Sequence, residues 1–336
     1  MNTEMEDRPV YDAAPSIMRT IFLGADGLRA GWSLLIYIAL FAAIMVCAHA
    51  LGNKLNPPKP RSATADHSFS LKSNYINEGV PLAAVFLLTW IMSKIERRRT
   101  AVYGLRGRRG IPHFFAGLAW GVTCLSILIV TLVKTGLLVI TGRLLFGESA
   151  VRYGALWLGG FLLVGLLEEY LVRGYLQYTL SRGLAGAYRW AFKTTHSKAL
   201  GFWTAALVFS ILFGLGHGKN PGESPIGLLS AGLASMVFCL SLWRTGSLWW
   251  AIGFHASWDW GQSFLYGVAD SGTMVRQHLL ATHPVGRPLL SGGATGPEGS
   301  IFIVAVLSLI VVIIVSTLPR TTGNYAANLP TRVIEP

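Results

Sequence analysis

The chain of 336 residues is 52% hydrophobic and only 13% charged, with a mean hydropathy of +0.49. A soluble domain carries roughly 25% charged residues, so the composition excludes an ordinary soluble enzyme and points to a polytopic membrane protein of the all-α class. The net charge of +12 does not imply a nucleic-acid partner, because the basic residues lie in short loops between apolar runs and form no continuous stripe.

Residues 1–30 mix charges, prolines and short apolar patches. That is not the profile of a cleavable leader, so they are expected to be a cytoplasmic segment ahead of a retained first span. Runs of about 20 apolar residues, enough to cross a bilayer core of about 30 Å, then number about eight. They fall at 31–51, 79–95, 114–141, 155–180, 200–217, 226–243, 246–266 and 301–318, making one transmembrane domain over 31–318 followed by a tail at 319–336. The stretch KIERRRTAVYGLRGRRG after the second run is the most basic connection, which places it inside. Alternation puts both termini inside, together with the loop bearing Arg182, Arg189, Lys193 and Lys198, and leaves 52–78 and 267–300 outside. The glycine-rich VGRPLLSGGATGPEGS within the latter reads as a solvated connector or a flexible lid, the connector being the simpler reading. Cys47, Cys124 and Cys239 lie in apolar runs without CxxC spacing and are expected to be buried, reduced thiols.

The fourth run contains LLEEYLVRG, which sets Glu168, Glu169 and Arg173 among apolar residues. An ionised carboxylate at mid-membrane costs about 2.5–3.5 kcal/mol on insertion scales, so each calls for a partner. Arg173 follows Glu169 by one helical turn and shares its face. Glu168 points about 100° away and needs a partner on another helix. The fifth run ends in FGLGHG, with Phe213 one turn before His217, and the seventh holds HASWDW, with His255 one turn before Asp259. Any one of these could be packing glue or a fixed ion network. Because buried polar groups must find one another or water, Glu168, His217, His255 and Asp259 together form a plausible convergent site. Counting from the outer ends of the predicted spans, however, sets Glu168 and His217 about 10 Å apart in depth.

EEYLVR, FGLGH and HASWD fit the patterns EExxxR, FxxxH and HxxxN/D, in that order, over roughly residues 155–265. The set resembles the CAAX protease and bacteriocin-processing family of intramembrane glutamate endopeptidases, which includes the type II CAAX prenyl endopeptidases. The resemblance implies an eight-helix membrane fold and a peptidase site within the bilayer, with no cofactor. Glu168 would be the general base, and His217 would hold the water or steady Glu168. His255 and Asp259 would inherit the oxyanion site, with Glu169 and Arg173 in support. The family often has Asn where this chain has Asp259; Asn can donate a hydrogen bond, whereas ionised Asp only accepts. Phe213 is expected to pack against His217.

Other readings use the same atoms. Glu168, His217 and His255 are also a possible zinc-ligand set, although HExxH is absent. A proton-linked transporter or an immunity-type membrane protein would use the glutamate and histidines without cleavage. The peptidase reading implies membrane lipids as surroundings and a membrane-proximal or prenylated peptide as substrate, and a bacterial plasma membrane is the expected location.

Overall fold

The computed structural model describes residues 21–24, 27–55, 68–105 and 109–318. The tail 319–336 and most of the segment 1–30 lie outside these. The architecture is a helical bundle: α1 (Ala30–Leu55), α2 (Leu71–Ile95), α3 (Gly110–Lys134), α4 (Gly147–Glu168), α5 (Gln177–Phe192), α6 (Ser197–Gly216), α7 (Pro225–Thr245), α8 (Trp249–Trp260) and α9 (Ile303–Thr317). A π-helical stretch, Glu169–Leu176, joins α4 to α5, so that Gly147–Phe192 is one continuous helix of 46 residues. Six helices among the described residues are long and apolar enough to cross a membrane; α8 and α9 are shorter, with 12 and 15 residues. The protein is a polytopic membrane protein, with exposed Leu35, Ile38, Val46 and Leu51 giving α1 an apolar outer face.

Several expected boundaries move, for local reasons. The second helix starts at Leu71 rather than 79, because Ser70 accepts from the Ser73 N–H (3.2 Å) and Ser73 Oγ accepts in return from the Ser70 N–H (3.1 Å). Pro81 then sits inside it, where it removes one backbone donor. The third helix stops at Lys134, not 141. The following apolar residues form strand β1 (Leu138–Arg143), antiparallel to β2 (Leu280–Pro284), with Leu138 opposite Pro284, Arg143 opposite Leu280 and an irregularity between Ile140 and Gly142. The turn separating α5 from α6 lies at 193–196, well beyond the predicted end at 180. Measured from that turn, Glu168 and His217 stand at similar distances along their two arms. Cys124 and Cys239 are buried as expected, but Cys47 is exposed on α1, which is almost wholly peripheral.

Helix α8 is the hub. Nearly all of it is buried, and it crosses α3 backbone to backbone: a Cβ placed at Gly117 would collide with Trp250 O, one at Gly121 with Phe254 O, and one at Gly253 with Phe114 O. Such close crossings maximise van der Waals contact where lipid offers no hydrophobic drive for helices to associate. Around α8, one core cluster joins α3, α7 and α9 through Leu125, Phe238 and Ile310. A second joins α1, α2 and the π stretch through Tyr37, Leu88 and Tyr175. A third, built on Trp157, Phe161 and Phe264, lies beneath the segment 267–300. At the other end of the long helix, buried Glu96 holds Arg98 (3.3 Å) and Arg182 (3.8 Å) and accepts from Tyr175 Oη (2.9 Å). That cluster ties the end of α2 to α5.

Candidate functional site

Between the first and third cores lies a cavity of about 280 Å³. Glu168, Phe213, His217, His255 and Asp259 all line it, although they come from three separate stretches of sequence. Glu169 and Arg173 lie behind its wall. The adjacent glutamates are thereby separated: the Glu168 side chain keeps 30% exposure and faces the cavity, whereas that of Glu169 is fully buried.

Glu169 is the structural centre. Its Oε1 accepts from Arg173 Nη1 (2.9 Å) and from His255 Nδ1 (3.0 Å), so one carboxylate oxygen fixes both the next turn of its own helix and the imidazole of α8. The Arg173 guanidinium, also fully buried, lies over the Phe213 ring at 4.4 Å and near that of Phe238 at 5.7 Å. A cation on two ring faces regains part of the stabilisation it loses by leaving water. The expected i,i+4 pair is therefore present, and it reaches further than its spacing implied.

His255 occupies the middle of the constellation. With Nδ1 donating to Glu169, Nε2 is turned to Glu168 Oε2 at 3.6 Å and Asp259 Oδ2 at 3.5 Å. Both distances exceed a good hydrogen bond, so the two carboxylates meet the imidazole as charge contacts and not as well-formed hydrogen bonds. His217, the residue that ends α6, donates Nδ1–H to the Phe213 carbonyl at 2.8 Å. In the neutral ring this bond leaves the Nε2 lone pair as an acceptor. Phe213 packs against both imidazoles, with ring centroids 4.8 Å from His217 and 6.3 Å from His255. It therefore joins three site residues, whereas the sequence suggested contact with His217 alone.

Two features escape periodicity. The motif EEYLVRG enters a π stretch directly after Glu168, and HASWDW runs directly into another, Gly261–Leu265. Widened turns of this kind concentrate at functional sites, and here they adjoin the site-bearing residues of both helices. The second is the roof. The segment expected to be a solvated connector folds over the cavity through β2, a single turn at Pro288–Ser291 and a 3₁₀ turn at Pro297–Gly299. From it Asp270, Ser271 and Glu298 line the cavity, and Asn74 and Glu78 do so from the first turns of α2. The sequence signal for the latter pair was the four-residue spacing of Asn74 and Glu78, hidden by placing the start of the helix after both.

Among the described residues no group of three His, Cys, Asp or Glu side chains is arranged to hold a metal ion. No curated protein and no solved structure matches the chain. The family model described as type II CAAX prenyl endopeptidase Rce1-like matches residues 150–261, the stretch that carries all three motifs and runs from α4 to the end of α8. The chain is thus an integral membrane protein in which residues 150–261 are similar to the type II CAAX prenyl endopeptidase Rce1-like family.

Proposed function

We propose that the cavity hydrolyses a peptide bond close to the membrane, with Glu168 as the base that activates water. The observation that carries this reading is the convergence of Glu168, His217, His255 and Asp259 on one cavity, with Glu168 the more exposed member of the glutamate pair. Water held between Glu168 and His217 Nε2 loses a proton to Glu168 as its oxygen bonds to the scissile carbonyl carbon. The negative charge that develops on the carbonyl oxygen is met by the Nε2–H of His255 in its doubly protonated form, whose Nδ1–H Glu169 holds from the other side. The C–N bond then breaks, Glu168 returns its proton to the leaving amine, and the products are a carboxylate and an amine. Asp259, an acceptor when ionised, is assigned to orienting His255 rather than to binding the oxyanion itself. The chemistry needs no metal.

The substrate is a peptide whose cleavage site lies at the membrane, because entry along the bilayer surface spares a polar chain the passage through lipid. Both termini lie in the cytoplasm and the protein resides in a bacterial plasma membrane, a reading supported by the basic Lys94–Gly110 connection. The test is cleavage of a panel of membrane-anchored peptides, prenylated and unprenylated, by the purified protein and by Glu168→Ala and Glu168→Gln, each with and without a zinc chelator. Cleavage that disappears in both variants and survives the chelator supports the reading. Cleavage lost to the chelator would establish metal chemistry, and proton flux without cleavage would establish transport; either result overturns it.

A further inference from the structure

The hairpin of α5 and α6 ends in a tip, RWAFKTTHSK at residues 189–198, that the hydrolytic steps do not use. Trp190 is 85% exposed there and Phe192 69%. Around them stand Arg189, Lys193 and Lys198, none of which joins an ion pair among the described residues. The sequence holds no Asp or Glu between Glu169 and Glu223. The charge of Arg189 bears on Lys198 across the hairpin, so like charges are held together without an anion. The tip is nevertheless a built turn. Lys193 ends α5 in the left-handed conformation (φ 48°), its N–H bonded to Arg189 O at 3.0 Å. The Thr194 hydroxyl accepts from the His196 N–H (3.1 Å), and Tyr188 Oη and Thr204 Oγ1 join the two arms at 3.0 Å. The Phe192 ring stacks on that of Tyr188, with centroids 6.0 Å apart.

The second arm sets the depth of this turn. Its uncharged run Ala199–Gly216 has 18 residues and is about 27 Å long, close to the hydrocarbon core of about 30 Å. The bilayer boundary therefore falls near Ala199. Backbone contact carries that level across to α5, because a Cβ at Gly201 would collide with Ser181 O and Ala185 N. Trp190 then lies about 8 Å beyond the boundary, at the outer part of a headgroup layer about 5–8 Å deep. Lysine and arginine in an inner loop serve orientation on their own. This tip adds a closed turn and two exposed aromatic rings at headgroup level, where such rings rest one side on acyl chains and the other on polar groups. The leaflet on this side, cytoplasmic in the proposed topology, is the one that carries anionic lipid.

We propose that the tip of the α5–α6 hairpin binds the headgroup of an anionic phospholipid of the surrounding bilayer, with Arg189, Lys193 and Lys198 on the phosphate and Trp190 and Phe192 against the acyl boundary. The proposal does not depend on the peptidase reading. Glu168 and His217 stand at the far ends of the same two arms, so the contact also fixes their depth in the bilayer. The test is fluorescence of the full chain in phosphatidylcholine vesicles that contain equal small fractions of brominated phosphatidylglycerol or brominated phosphatidylcholine. The emission of Trp190 is taken as the difference between wild type and Trp190→Phe. The anionic quencher should act on it with an apparent affinity at least about fivefold higher than the neutral one, the factor expected of a single cation at an anionic surface. Arg189→Gln, Lys193→Gln and Lys198→Gln together should level the two quenchers, whereas Arg189→Lys, which keeps the charge, should preserve the preference. These changes lie on the surface, so the unfolding midpoint in detergent should match wild type. Equal quenching of wild type by the two lipids, the behaviour of any aromatic ring at the bilayer boundary, overturns the proposal. Absence of quenching by either lipid also overturns it, since the ring would then stand in water and the tip would be left to an acidic protein partner.

Discussion

Glu169 illustrates how one side chain sets a site it does not chemically enter. It satisfies Arg173 and His255 together, so Glu169→Gln leaves a fully buried guanidinium without its anion. Such a loss costs about 3–5 kcal/mol, and thermal unfolding in detergent should show a correspondingly lower midpoint. Replacing both partners, as in Glu169→Gln with Arg173→Met, should restore much of the stability but not the hydrolysis, because the His255 ring loses its charged anchor. Asp259 makes a sharper case. If it acts by accepting at His255 Nε2, Asp259→Asn keeps an acceptor oxygen and should keep hydrolysis within about tenfold, while Asp259→Leu should lose about 10²–10³-fold. Equal losses in the two variants would show that its negative charge is what matters. At this scale the sequence was informative: three i,i+4 pairs together with Glu168 named the seven residues that now surround or support one cavity. Spacing along a helix could not show that Glu169 is shared with His255, because that contact joins stretches 86 residues apart.

The elements decide whether those residues meet. Because α8 crosses α3 without side chains between them at Gly253, a Gly253→Val substitution must push the helices apart. It should destabilise the protein by about 1–3 kcal/mol and, two residues from His255, depress hydrolysis more than that loss alone explains. Unfolding and steady-state rates measured on the same preparation separate the two effects. The roof gives a pH prediction. Burial holds Asp270 and Glu298, which lie outside the spans, above the ordinary carboxylate range. A carboxylate raised in this way favours the folded state most while protonated; its contribution is complete below about pH 4, where the unfolded chain titrates, and is lost as pH rises through the higher folded value. The unfolding midpoint should therefore decline as pH rises from that point, and Asp270→Asn should flatten the decline; an unchanged slope in the variant would contradict this assignment. Neither the roof nor the π stretches were legible beforehand. A glycine-rich segment reads as a linker, and its structure here comes from partners far along the chain, such as β1 and α2; the apolar run at 138–141 likewise became strand only because β2 supplies its backbone partners.

The whole molecule was the most legible level in kind and less so in extent. Low charge and long apolar runs announce a helical membrane bundle, and six helices have the length to span. The remaining two of the predicted runs are shorter, because α8 is enclosed by protein rather than lipid and α9 begins only after the roof has folded. The same enclosure gives the molecule its cavity, and the claim that this cavity is hydrolytic rests on Glu168. The most direct measurement is mass spectrometry of a membrane-anchored peptide incubated with proteoliposomes of wild-type or Glu168→Gln protein in heavy-oxygen water. The account predicts two fragments from the wild type, with solvent oxygen in the new carboxylate, and no fragments from folded Glu168→Gln. Fragments released by Glu168→Gln at the wild-type rate would contradict it.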